Sequence, residues 1–214
     1  MKTILFSISV FLFSLLVFQS CDNTADAISD AQKLSKLKEA IFTYDSTQIT
    51  FTFPEGALNG EPFDSLIRKD SATYANPANY EVTIESYLNA DNNSETSDDA
   101  KFDGMRMKIV LDTIASNPLE LLADGFDLPK GASKQIKADG TMNLRTHKLP
   151  CLYIFQQTVD GFDIDATISP FVLYEIGTIT GEIPIAESTV AIPTRADAAT
   201  KNFLQGLLDS QVFE

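Results

Sequence analysis

One histidine, His147, and two cysteines, Cys21 and Cys151, bound the nucleophilic and metal chemistry open to this chain. A serine- or cysteine-type hydrolase needs a base beside its nucleophile. His147 and Cys151 stand four residues apart in "RTHKLPCLYIF". Read as an apolar strand, that run places them on one face but ~13 Å apart, beyond hydrogen-bond reach. Pro150 also interrupts the run between them. His147 is therefore expected in a turn or loop, and Cys151 as a buried, inert thiol. A zinc site would need carboxylates beside this one His and one Cys, and no spacing identifies them. The 30 acids include no pair singled out for the two-carboxylate chemistry of a glycosidase. The expectation is a protein that is not an enzyme, with no catalytic residue, no metal site and no cofactor.

Oxygen-ligand chemistry has one candidate stretch, "NADNNSETSDDAKFDG", residues 89–104. Asp91, Asn93 and Glu95 share the spacing of the first ligands of an EF-hand loop. That loop also requires Gly at its sixth position and a bidentate Glu at its twelfth. Thr96 and Phe102 stand there instead. Low hydrophobicity and many acids favour a mobile, solvated loop between two strands. An irregular, weak calcium site among Asp91, Glu95, Asp98 and Asp99 is the alternative.

Cys21 is positioned by a different signal. Lys2 is followed by an uncharged run, Ile4 to Phe18, which then meets Gln19-Ser20-Cys21. About 15 apolar residues are too few to span a ~30 Å hydrocarbon core, and they match the h-region of a signal peptide. A small residue before a cysteine at the end of such a run resembles the lipobox of bacterial lipoproteins. Phe18 departs from the usual Leu. The resemblance implies a signal peptide over residues 1–20 and lipid attachment at Cys21. Several acyl chains would make the anchor stable. An ordinary secretory signal, or a core segment with Cys21 incidental, is the competing reading. The acid and amide that follow, Asp22-Asn23, with the loose lipobox and Phe-rich run, look like the Bacteroidota pattern. That implies the outer membrane, at the periplasmic leaflet or the cell surface.

Composition narrows the partners. The 214-residue chain carries a formal charge of −14, and loss of residues 1–20 removes Lys2, giving 194 residues near −15. A surface so acidic repels phosphate backbones, so no nucleic-acid partner is expected. It also disfavours wide contact with anionic lipid heads, leaving the N-terminal lipid as the membrane link. With Cys21 acylated, Cys151 has no partner for a disulfide. The chain has no Trp, a mild argument against a sugar-stacking platform.

The elements that must position these residues are read from periodicity. Asp26 to Phe42 repeats Ala27, Ala31, Leu34, Leu37 and Ile41 at helical steps, with Ser29 or Asp26 as cap. From Ser46 the period becomes two: Ile49, Phe51 and Phe53 alternate with Thr50 and Thr52 until Pro54. "YEVTIESYL" and "MRMKIVLDTIA" continue as strands. So do "KQIKADGTMNL", "LPCLYIFQQTV", "GFDIDATI", "FVLYEIGTITGEIPI" and "STVAIP". The tail is helical again, capped by Thr194, with Phe203, Leu204, Leu207, Leu208 and Val212 on one stripe. The predicted fold is mainly β, an antiparallel sandwich or lipocalin-like barrel with short N- and C-terminal helices. The segments are a leader at 1–20, a lipidated N-terminus and helix at 21–45, a β-rich domain at 46–193 and a C-terminal helix at 194–214.

Two family resemblances bear on function. The stretch "QIKADGTMNLRTHKLPCLYIFQQTVDGFDIDATISPFVLYEIG" resembles the YceI-like lipid-binding, lipocalin-like family. Gly140, Met142, Leu144 and Pro150 follow its pattern of a Gly-opened strand and a Pro-containing turn, while Thr146 and Lys148 depart from it. The resemblance implies a barrel around an isoprenoid or acyl ligand. Its lining would come from Phe51, Phe53, Ile84, Leu111, Leu144, Tyr153 and Phe155, with Ile49, Val82, Ile109, Met142 and Phe162 completing the wall. "SNPLELLADGFDLPKG", followed by "YEIGTITGEIPIAESTVAIP", is instead similar to the late-embryogenesis type 2 sandwiches, which implies a structural role without a cavity. Alternation is identical for a lined cavity and a filled core. The function expected is a lipid-anchored, non-catalytic binding or interaction module; a carrier of an apolar ligand is the alternative. The partners expected are the membrane through the lipid, and either an apolar ligand or a protein.

Overall fold

Apolar side chains alternate with polar ones over most of the chain, and β-structure follows. A computed structural model describes residues 29–93, 98–112, 114, 118–177 and 179–213. The fold is mainly β, an eight-stranded antiparallel sheet curled into a half-barrel, with a few short helices. The strands are β1 (Ile41–Thr52), β2 (Glu81–Asp91), β3 (Ala100–Leu111), β4 (Leu119–Leu128), β5 (Ser133–Asn143), β6 (Ile164–Ile176), β7 (Ile179–Pro184) and β8 (Ser188–Ile192). Helix α1 covers 29–37. It is followed by α2 (Phe63–Lys69), α3 (Ser71–Tyr74), α4 (Lys148–Asp160) and α5 (Ala198–Asp209). The sheet order is β1-β2-β5-β4-β3-β6-β7, with β8 also pairing β6. The two edges, β1 and β8, approach each other without forming a ladder.

Two glycines bend the sheet. At Gly104 a Cβ would lie 2.6 Å from the Ala123 carbonyl oxygen, so β3 and β4 meet closely there. The inward side switches at this point, from Phe102 and Phe126 to Met105, Met107 and Leu121. At Gly140 a Cβ would lie 2.7 Å from the Glu120 carbonyl oxygen. There β5 crosses β4, and the two share a single bridge, Leu122 to Asp139. Glycine at such positions lets one backbone approach another, which is how a flat sheet becomes a curved one. A bulge between Tyr44 and Ser46 bends β1 as well. It turns Thr47 inward, where its hydroxyl meets Ser86 Oγ at 2.9 Å, so both buried hydroxyls are satisfied.

Helices fill the concave side. Cys151, Ile154, Phe155 and Thr158 of α4 are buried, as are Phe203, Leu204 and Leu207 of α5. At the other end Asn92 ties three strands together. Its Nδ2 donates to the carbonyls of Asp98 and Leu128 at 2.8 and 2.9 Å. Among the described residues no helix is long and apolar enough to cross a membrane.

Several elements differ from the sequence reading. "LPCLYIFQQTV" is not a strand but most of α4. Pro150 sits in its first turn, where a missing N–H leaves no bond unmade. Asn143 Oδ1 accepts from the backbone N–H of Arg145 and Thr146, turning the chain out of β5. Gly161, in the left-handed region at φ 75°, ends the helix. The N-terminal helix stops at residue 37 and β1 starts at Ile41, so the β-rich part begins five residues before 46 and Ile41 leaves the helical stripe. The acidic stretch 89–104 is not one loop: β2 runs to Asp91 and β3 starts at Ala100. Asp197 rather than Thr194 caps α5, accepting from the Thr200 N–H at 2.8 Å. Strand β4 and helices α2 and α3 were outside the predicted elements.

Candidate functional site

The residues predicted to line a ligand cavity pack into the core, apart from Phe162. Ile84, Leu111, Leu144 and Phe155 are buried, while Phe51, Phe53 and Tyr153 are half-buried against the same cluster. Their aromatic rings meet one another and the helices. Phe51 lies 6.0 Å from Phe53 and 5.9 Å from Phe155, and Phe53 lies 4.9 Å from Phe203, all between ring centroids. These separations are those of packed aromatic pairs. Ile49, Val82, Ile109 and Met142 belong to this core too. Phe162 does not: it is 62% exposed in the loop after α4. Cys21 and the leader at 1–20 lie outside the described residues.

His147 is the N-cap of α4 and Cys151 lies one turn later, so the strand separation of ~13 Å does not apply. On a helix, residues four apart are neighbours. The Cys151 N–H donates to the His147 carbonyl oxygen at 3.0 Å. His147 Nδ1 shares a 2.9 Å hydrogen bond with Thr146 Oγ1. The thiol is fully buried, and desolvation pushes it up to about 12. A nucleophilic cysteine needs the opposite environment, electropositive and partly exposed. His147 also borders a shallow cleft of about 350 Å³ with Ile84, Glu120, Leu121, Thr141 and Met142.

The acids of the former loop are used in structure. Lys36 pairs with Asp98 and holds its carboxyl below the usual carboxylate range. Asp99 Oδ1 accepts from the Lys130 N–H at 2.9 Å. Asp91 is in β2. Glu95 lies outside the described residues. Among the described residues no group of three or more His, Cys, Asp or Glu side chains is arranged to hold a metal ion.

A groove that the sequence reading missed opens between residues 57–64 and α5. It encloses about 450 Å³. Phe63 and Phe203 meet at its base, their centroids 5.6 Å apart. Gly206 permits this approach, since a Cβ there would lie 3.2 Å from Phe63 Cβ. Leu58 is exposed on one wall, and Glu61, Asp64 and Asp209 supply carboxylates. The signal for α2 was present: Pro62, then Phe63 and Leu66 at a helical step, then Arg68-Lys69 at the carbonyl end. Nothing in the sequence pairs that helix with α5.

The ends of the half-barrel are unlike each other. At one end, beside α1, the connections are 92–99, 129–132 and 177–178. At the opposite end they are 53–80, 112–118, 144–163 and the tail from 193. Every helix except α1 is carried there. Leu58, Leu149, Phe162 and Val212, all exposed, are on these connections.

No protein-family model and no curated protein matches the chain. Two solved structures are loosely similar. A protein from Archaeoglobus fulgidus has 8% identity and a TM-score of 0.39, over 72% of this chain and 99% of its own. The ApaA protein of Bordetella pertussis has 14% identity and a TM-score of 0.32, over 72% and 98%. Likeness at this level carries no argument about function.

Proposed function

We propose that the protein is a lipid-anchored component of the cell envelope that acts as a non-catalytic interaction module. Its working surface is the helix-bearing end of the half-barrel. The observation that supports this most is the asymmetry of the connections. Helices α2 to α5 are all carried at one end, on 53–80, 144–163 and the tail, and long connections of this kind carry binding groups. A lipid at Cys21 would be eight residues from the start of α1, a tether of at most about 29 Å when extended. That tether keeps the α1 end within reach of the bilayer and leaves the opposite end accessible. The buried aromatics argue against an interior ligand, because they already contact one another.

Anchoring is tested by replacing Cys21 with Ala and fractionating the cells. The variant is expected in the soluble fraction, while the parent stays with membranes through a salt wash. Equal retention of both would contradict the lipid anchor.

A further inference from the structure

We infer that the groove between residues 57–64 and α5 receives an apolar side chain flanked by lysine or arginine, presented by a partner protein. This rests on the helix-bearing end being the interaction surface, and it names the chemistry that surface takes. The apolar component comes chiefly from Leu58, which is 42% exposed, over a base closed by the nearly buried rings of Phe63 and Phe203. About 450 Å³ admits one or two side chains and is in the ~300–1,000 Å³ range of ligand sites. The groove is open along its length, which suits a side chain offered from a surface.

The charge component is one-sided. Glu61, Asp64 and Asp209 line the groove, and no lysine or arginine does. Lys69 reaches Glu61 from α2. Neither Asp64 nor Asp209 forms an ion pair among the described residues. Asp209 stands in the last turn of α5, which carries no basic residue. The carbonyl end of a helix is already partly negative, so a carboxylate there is unfavourable and a cation welcome. Gln205 Nε2 donates to Asp209 Oδ1 at 2.8 Å, a neutral partner that leaves the carboxylate charge unbalanced. An incoming lysine or arginine meets the helix terminus and two carboxylates that have no cation among the described residues. A desolvated apolar contact ringed by charge pairs is the usual form of a compact binding site.

The test uses the full chain in phosphatidylcholine nanodiscs and a short fluorescent peptide with one central leucine between lysines. Anisotropy reports binding. Two double variants carry the same charge change: Asp64→Lys with Asp209→Lys in the groove, and Asp124→Lys with Asp127→Lys on the outer face of β4, where neither acid forms an ion pair among the described residues. All four positions are exposed, so folding is preserved. The groove variant is expected to bind at least about tenfold more weakly, and the outer-face variant as the parent does. Serine in place of the peptide's leucine is expected to weaken binding as well. Absence of saturable binding, equal loss in both variants, or indifference to the leucine would overturn the inference. Binding that survives in the groove variant but falls on Leu149→Ser would move the site within the same end and refute the groove alone. None of these outcomes alters the Cys21 fractionation, so the two readings fail separately.

Discussion

The behaviour of Cys151 is set by where its side chain lies. The thiol is enclosed by apolar neighbours on α4, and desolvation raises it from 9.0 to about 12. Only the unfolded chain can release this proton between those values. The sign follows: native stability is undiminished below pH 9 and declines as pH rises toward 12. Tyr80, fully buried and donating to the Tyr74 carbonyl oxygen at 2.6 Å, shifts upward as well and adds to the alkaline loss. A maleimide reagent at pH 8 is expected to leave Cys151 unmodified in the folded protein and to label it once guanidinium unfolds the chain. Labelling of the native protein at the rate of a free thiol would contradict the burial. The inertness of this residue was legible from its flanks, Leu149, Leu152 and Ile154. Its distance from His147 was not, because that depends on the element and not on the spacing. The carboxylates of the groove were illegible too. Glu61 and Asp64 come from one end of the chain and Asp209 from the other, and only tertiary packing joins them.

At the scale of elements, β1, β2 and β5 follow the alternation of their sequences, and the segment with two competing periods is a helix. The runs "GFDIDATI" and "FVLYEIG", expected in separate strands, form the single strand β6, and the chain turns at Gly177 into β7. Val82, Ile84, Leu88 and Ala90 all face inward from β2, as alternation requires. In α4 the residues that become buried, Cys151, Ile154, Phe155 and Thr158, follow the three-and-four step of a helix. Pro150, an interruption for a strand, falls in the first turn of the helix, where proline is tolerated. β4 was obscured because its inward side switches near Gly104 and Gly125, which breaks simple alternation. The switch also yields a stability prediction. A methyl group at Gly104 would meet the Ala123 carbonyl at 2.6 Å, and backbone cannot retreat as a side chain can. Gly104→Ala is expected to lose about 1–3 kcal/mol in chemical denaturation. A neutral change would mean that β3 and β4 are not held this close.

At the scale of the whole molecule, the class of fold was legible because periodicity of two recurs along the chain, while the state of its interior was not. A barrel that holds a ligand and one that holds its own side chains present the same alternating pattern. What separates them is the placement of α4 and α5. Phe155 and Phe203 enter from these helices and meet Phe51 of β1 and Phe53 just after it, occupying the space that a ligand would need. The interior thus uses these aromatic side chains for its own packing, which supports the proposal that recognition falls to the helix-bearing end. Native mass spectrometry of residues 22–214, with and without added long-chain isoprenoids and fatty acids, tests this most directly. The mass of the bare chain is expected in both cases. A co-purifying lipid, or a one-to-one adduct on addition that resists collisional activation, would contradict it and restore the carrier.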